Sequence, residues 1–232
     1  KMRILAMDTA TSACSVALSI DGAIVSHRLI EMVRGQAEAL APMIADVLEE
    51  ADIDASELDL LAVTVGPGAF TGLRIGLATA RAMALATDVP CLGISTTEVI
   101  AQAVPELTWP DGSLLVALDS KRSDIYVQLF SKPGQGVGEP QAIEPENLSQ
   151  WLGAVSGPIG IVGDAGPVAL AALVEKEIDV SPVDAPGVPD ARALAAVAAR
   201  RWKIGDPAPT PSPLYLRPPD AKLPRDGGKL RP

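Results

Sequence analysis

Residues 3–30 read RILAMDTATSACSVALSIDGAIVSHRLI and contain three short apolar segments separated by polar breaks. The first segment ends at Asp8, and the second is followed by Asp21-Gly22, a dipeptide that favours a two-residue turn between antiparallel strands. We therefore expect a three-stranded antiparallel meander at the start of the fold. A sheet made entirely of parallel strands fits this start less well, because parallel neighbours cannot be joined by a two-residue hairpin.

Helices and buried strands alternate after the meander. Apolar residues at three- and four-residue spacing predict a helix over residues 36–51, and a second helix is expected over residues 71–87, with a buried strand on either side of it. Near Pro105 the pattern starts again with strands at residues 114–118 and 125–130, followed by further helices and strands. Two segments that each open with antiparallel strands predict an α/β protein with the two-lobed actin-like ATPase, or ribonuclease-H-like, fold.

These patterns also divide the chain. We assign residues 2–104 to an N-terminal lobe and residues 105–189 to a C-terminal lobe. An alanine-rich helix over residues 190–203 is expected to pack back on the N-terminal lobe. Residues 205–232 are rich in proline, which cannot join the interior of a helix or sheet, so an extended and unpacked tail is expected there.

Composition excludes several classes of protein. The formal net charge is −10 and aromatic residues make up 3%, which disfavours a free-standing nucleic-acid binder and a stacking platform for single strands. One histidine and two cysteines, with no C-x-x-C pair, exclude a zinc ribbon and a disulfide framework, so no metal site is expected. No apolar segment reaches the roughly 18 residues that a membrane span needs. We expect a cytoplasmic protein without a membrane partner.

Glycines mark the loop between a predicted strand and the second helix. This loop reads GPGAFTG at residues 66–72, and backbone amides at such a place can bind an anion. Its spacing differs from the dinucleotide-binding G-x-G-x-x-G, and it lacks the lysine of a P-loop. Together with Asp8 and Thr9, which end the first strand, Gly66 and Gly68 form a candidate anion or nucleotide loop. The alternative is a tight turn that allows the helix and strand to pack closely.

Small residues recur at four-residue intervals along the second helix, and such a stripe allows another helix to approach closely. The first helix carries more apolar residues than one packed side of a short helix needs, so the two helices are expected to share an exposed apolar face that binds a partner. An internal helix contact is the alternative. The predicted interface consists of Leu40, Met43, Ile44, Val47, Thr71, Gly72, Leu73, Gly76, Leu77, Ala80 and Arg81.

One stretch carries a family resemblance. Residues 66–76, GPGAFTGLRIG, resemble the signature of the TsaB (YeaZ) family, although Ala69 stands where that family usually has serine, which puts a hydroxyl role there in doubt. Residues 4–11, 118–126 and 213–217 are similar to the family as well, and the match covers residues 2–217.

The resemblance implies a function. TsaB is the non-catalytic subunit of the bacterial complex that transfers threonylcarbamoyl to N6 of the adenosine beside the tRNA anticodon. It implies TsaD as the catalytic partner, the ATPase TsaE as a further partner, and tRNA reached indirectly through the complex. In isolation a second copy of the chain is another candidate partner. The resemblance implies no cofactor on this chain alone, and it places ATP or ADP, if bound, at the partner complex.

TsaD carries two histidines as metal ligands, and the corresponding positions here are Thr96 and Ile100, neither of which can replace a histidine ligand. The alternative from another class is an autonomous small kinase or ATPase of the actin fold that uses Asp8 and Asp119. This alternative is disfavoured because the loop at residues 119–124 has no glycine to cradle a phosphate. We therefore expect no catalytic residue in this chain.

Overall fold

The computed structural model describes residues 1–155 and 157–217. This part of the chain contains ten β-strands and six α-helices. The strands are β1 Arg3–Asp8, β2 Ala13–Ile20, β3 Ala23–Glu31, β4 Leu60–Gly66, β5 Cys91–Ser95, β6 Ser113–Asp119, β7 Ile125–Lys132, β8 Gln135–Ile143, β9 Ile159–Val162 and β10 Val180–Pro182. The helices are α1 Gln36–Glu50, α2 Phe70–Thr87, α3 Thr96–Ala103, α4 Leu148–Leu152, α5 Gly166–Val174 and α6 Ala191–Arg201.

The two lobes repeat one sheet topology. Sheet one has the order β3-β2-β1-β4-β5, in which β1, β2 and β3 are antiparallel and β4 and β5 run parallel to β1. Sheet two has the matching order β10-β9-β6-β7-β8, with β6, β7 and β8 antiparallel and β9 and β10 parallel to β6. The predicted meander and the two-lobed actin-like fold are therefore confirmed.

Alternation along β1 builds the core on both faces of sheet one. Leu5 and Met7 point into a cluster with residues of α1 and α2, whereas Ile4 and Ala6 belong to a second cluster with residues of α6. Successive side chains of a strand point to opposite faces, so a continuously apolar strand implies cover on both sides. Helix α6 thus closes the N-terminal lobe, although it lies far along the chain.

Helix α3 joins the two lobes. Its residues Ile100 and Ala101 pack with Leu114, Val116 and Leu118 of β6, and α3 also contacts α6. On the other face of sheet two, α4 and α5 cover apolar residues of β6, β7 and β9. Residues 132–138 are rich in glycine and proline: a turn at Pro133 and Gly134 joins β7 to β8, and β8, at the edge of the sheet, begins at Gln135.

Residues 207–217, here called the strap, run along the edge of the N-terminal lobe. Leu214 donates its amide to the carbonyl of Val65 at 2.7 Å, and Pro211 is buried and accepts hydrogen bonds from Arg81. At its end Arg217 forms an ion pair with Asp124 of the C-terminal lobe. The expectation of an unpacked tail is wrong for the strap, since a proline-rich extended chain can still satisfy a polar group against the irregular end of a strand, here β4 at Val65. Residues 218–232 of that predicted tail lie outside the described residues.

We expect the strap to stabilise the fold. Deleting residues 207–232 removes the Leu214 and Pro211 contacts and leaves the carbonyl of Val65 without its partner, so the melting temperature should fall by more than about 4 °C. The matched control deletes residues 219–232 and retains the strap, and it should melt almost like the full chain. Differential scanning fluorimetry measures both. Equal melting temperatures for the two truncations would show that the strap contributes nothing.

Candidate functional site

The end of β1 meets the glycine loop at the centre of the candidate site. Ala69 donates its backbone amide to the carbonyl of Ala10 at 2.7 Å, and the Thr9 hydroxyl donates to the carbonyl of Gly72 at 2.7 Å. Thr9 is buried. The two segments that were predicted to open onto an anion are therefore bonded to each other, and the Ala69 amide is occupied by protein.

Three glycines make this contact sterically possible. A Cβ on Gly68 would collide with the carbonyl oxygen of Ala10, and one on Gly72 would collide with the carbonyl oxygen of Thr9. A Cβ on Gly76 would lie 2.7 Å from the Thr9 hydroxyl oxygen. Backbone needs glycine where another backbone approaches this closely. The small-residue stripe of α2 thus packs against the end of β1, and its predicted role at a partner interface is wrong.

Gly66 has a different neighbour. Its φ of 113° lies in the region that favours glycine, and the peptide bond to Pro67 is cis. An added Cβ there would lie 2.8 Å from the carbonyl oxygen of Leu214 in the strap. The loop is therefore enclosed by the end of β1 on one side and by the strap on the other.

Asp8 is buried beneath this contact and has an exposed fraction of 0%. One carboxyl oxygen accepts hydrogen bonds from the Thr64 hydroxyl at 2.5 Å and from the Ala10 amide at 3.2 Å, and the other has no hydrogen-bond partner within the described chain. Burial raises the pKa of Asp8 to about 7, although these hydrogen bonds act to lower it. A carboxyl group enclosed in this way cannot contact a nucleotide that binds from the solvent.

The loop between β6 and β7 is held by contacts of its own. The Ser120 hydroxyl donates to the Asp124 side chain at 2.6 Å, and Lys121, at a positive φ of 62°, forms an ion pair with Asp119 at 2.7 Å. The Asp119 amide donates to the side chain of Asp164 at 2.8 Å. Its polar groups thus bind one another rather than forming the open glycine turn that cradles a phosphate.

The predicted apolar face of α1 is also internal. All four of its apolar residues lie in the core beneath sheet one, because a helix on a sheet buries the stripe that repeats every three or four residues. In α2, Leu73 and Leu77 are likewise buried, Thr71 is exposed, and Arg81 is bound to the strap. The exposed fractions in α1 are 1% for Leu40, 4% for Met43, 7% for Ile44 and 0% for Val47.

Alanines recur on the outer surface of these two helices, beside charged residues. Ala37, Ala41 and Ala45 are exposed at four-residue intervals on α1, and Ala78 and Ala82 are exposed on α2. Two exposed apolar side chains flank this surface. Val33, just before α1, is 83% exposed, and Leu85, near the end of α2, is 89% exposed. Sequence reasoning missed this surface because it followed the large apolar residues, while the regular alanine spacing was visible in the same segment.

A cavity of about 450 Å³ lies where α1 and α2 begin. Neither helix has a side-chain cap at its N-terminus, and Arg34 and Lys121 line the same space, so the cavity suits an anion better than a cation. The described residues contain no cluster of three or more potential metal ligands, and no described helix is long and apolar enough to cross a membrane. Thr96 and Ile100 are both fully buried at α3.

Several known proteins similar to this chain are named for tRNA threonylcarbamoyladenosine biosynthesis. The family model described as TsaD, tRNA N6-adenosine threonylcarbamoyltransferase, matches residues 30–155. The tRNA threonylcarbamoyladenosine biosynthesis protein TsaB of Escherichia coli strain K12 is 34% identical over 170 residues, which are 70% of this chain and 71% of that protein. TsaB of Bacillus subtilis strain 168 is 27% identical over 153 residues, 65% of each chain.

Solved structures agree with the sequence comparisons. YeaZ from Pseudomonas aeruginosa superposes with a TM-score of 0.78 at 28% identity, covering 93% of this chain and 100% of that one. A second Pseudomonas aeruginosa structure, described as similar to the peptidase YeaZ, gives a TM-score of 0.80 at 29% identity over 94% of this chain and all of its own.

Replacing Gly76 with leucine tests the close contact at Thr9. The new side chain has no space beside the Thr9 hydroxyl, so we expect Gly76→Leu to destabilise the fold by about 1–3 kcal/mol. Ala78→Leu is the matched control, since Ala78 lies on the exposed side of the same helix, and it should change stability by less than about 0.5 kcal/mol. Urea denaturation measures both. A Gly76→Leu protein as stable as the control would contradict the packing.

Asp8 should make stability depend on pH. Because the folded state raises the pKa of Asp8 from 3.8 to about 7, it binds a proton more tightly than the unfolded chain does. The free energy of unfolding should therefore decrease as the pH rises from about 4 to 7. Asp8→Asn resembles the protonated acid and removes this contribution, so at pH 8 it should be more stable than the wild type by on the order of a few kcal/mol.

Urea denaturation at pH 5 and at pH 8 measures the difference between Asp8→Asn and the wild type at each pH. The gain in stability should be clearly larger at pH 8. A difference that stays the same at both pH values would show that Asp8 ionises as easily in the folded state as in the unfolded chain.

Proposed function

Since this chain belongs to the TsaB (YeaZ) family, whose members take part in the biosynthesis of tRNA threonylcarbamoyladenosine, we propose that it is a non-catalytic subunit of the enzyme complex. Its role is to pair with the catalytic subunit TsaD and to support the transfer of threonylcarbamoyl to N6 of the adenosine beside the anticodon. TsaE completes the proposed assembly, and tRNA reaches the chain through the complex.

The closed contact at the end of β1 carries this proposal. The actin-like fold offers a nucleotide the space between the first strand of each lobe, but here the Thr9 hydroxyl and the Ala10 carbonyl are hydrogen-bonded to the glycine loop. Asp8 is enclosed beneath it, and the β6–β7 loop satisfies its own polar groups. Each of these features supports a subunit that retains the fold and has no active site of its own.

The outer surface of α1 and α2 is the proposed pairing surface. Its alanines permit close approach of a partner helix, and Val33 and Leu85 add exposed apolar area at its ends. Helices of four to five turns can supply the roughly 800 Å² per partner that a standard interface buries. The cavity beside Arg34 lies at the start of both helices, so ATP or ADP at the partner complex is compatible with this arrangement.

A charged side chain on this surface should abolish pairing without unfolding the protein. Ala41 is exposed, so Ala41→Arg should leave the melting temperature almost unchanged and should prevent co-elution with TsaD in size-exclusion chromatography. Ala171→Arg, on an exposed position of α5 in the other lobe, is the matched control and should still pair. Co-elution of Ala41→Arg with unchanged affinity would contradict the placement of the surface.

Turnover by the isolated chain tests the non-catalytic role. We expect no magnesium-dependent hydrolysis of ATP above the background of an Asp8→Asn preparation, which lacks a carboxylate that an autonomous kinase of this fold would use. Steady turnover by the wild-type chain alone would instead favour an autonomous kinase or ATPase.

A further inference from the structure

The exposed aromatic side chains of this protein meet at one place. All seven aromatic residues lie in the described part of the chain, and five of them are buried or half-buried. The other two, Phe70 at 49% and Tyr215 at 42%, are exposed, and their ring centroids are 5.4 Å apart. They come from separate segments, the start of α2 and the strap, so their proximity is a product of the fold.

Arg74 orders this pair. Its guanidinium carbon lies 3.8 Å from the centroid of the Phe70 ring, and its Nε donates to the Tyr215 hydroxyl at 3.1 Å. A planar cation and two rings are thus held together before any partner arrives. Groups that are already ordered lose less conformational entropy on binding, which favours a contact surface.

The two segments that form this cluster contain arginines and no acidic residue, although the whole chain has a net charge of −10. Helix α2 contains Arg74 and Arg81 and no acidic residue, and the strap contains Arg217 and no acidic residue. Asp124, the partner of Arg217, is buried.

We propose that Phe70, Arg74 and Tyr215 bind an unpaired nucleotide of RNA, with the base stacked on the exposed rings and the phosphates beside the arginines. Stacking of bases on aromatic side chains combined with basic groups is how proteins hold single strands. The low aromatic content argued against a stacking platform, but the fold gathers the exposed aromatics into one. This inference rests on the proposed function, which brings tRNA to the complex.

Fluorescence anisotropy of the full chain with a fluorescein-labelled 12-nucleotide single-stranded RNA tests the inference. Tyr215→Ala should weaken binding at least about fivefold, and Tyr215→Phe should retain binding within about twofold because the ring remains. Phe70→Leu fills similar space without an aromatic ring, so it should also weaken binding. This second variant keeps the test decisive if Tyr215→Ala is poorly folded. Leu107→Ala, at a fully exposed position outside both proposed surfaces, is the matched control and should bind like the wild type.

Three results would overturn the inference. The first is no binding by the wild type, and the second is equal binding of the single strand and a duplex of the same length. The third is unchanged binding by both Tyr215→Ala and Phe70→Leu.

Co-elution of these variants with TsaD separates the two proposals. Loss of pairing with RNA binding intact would make the cluster a protein contact, whereas RNA binding that depends on Tyr215 in a chain that never pairs with TsaD would overturn the proposed function alone.

Discussion

The contact between the end of β1 and the glycine loop is the constraint on which the rest of this structure depends. It brings the backbone of Thr9 and Ala10 against Gly68 and Gly72, so closely that a Cβ on either glycine would overlap a carbonyl oxygen. The contact fixes how α2 lies on sheet one, encloses Asp8, and occupies the Ala69 amide. One steric requirement thereby explains the glycines at residues 68 and 72 and the hydrogen bond that occupies the Ala69 amide.

The position of α2 in turn determines which surfaces remain for partners. Once its glycine stripe faces the end of β1, the exposed side of the helix carries Ala78, Ala82 and Leu85, and its first turn presents Phe70 and Arg74. The strap then crosses the start of α2 and adds Tyr215 to the exposed ring of Phe70. A contact that closes a nucleotide site thus leaves two outward surfaces, one suited to a helix and one suited to an unpaired base.

Much of the fold could be predicted from local signals. The Asp21-Gly22 turn and the short apolar segments on either side of it correctly predicted the meander, since turn chemistry and periodicity are local properties. The candidate site was harder, because the role of Gly76 depends on Thr9, 67 residues earlier in the chain. The four-residue spacing shows that one face of the helix carries small residues. It does not show whether the end of a strand or another protein packs against that face. The strap was missed for the same reason, because nothing in a proline-rich sequence identifies the Val65 carbonyl, near the end of β4, that accepts the Leu214 amide.

Amide hydrogen exchange at Ala69, followed by NMR with and without magnesium-ATP, tests the central claim most directly. In an open phosphate loop this amide would be free to bind an anion, whereas here it donates to the carbonyl of Ala10. If the contact is closed, the Ala69 amide should exchange slowly, and its resonance should not change when the nucleotide is added to the isolated chain. Rapid exchange, or a resonance that moves with a saturable dependence on magnesium-ATP, would contradict the closed contact and the non-catalytic role proposed from it.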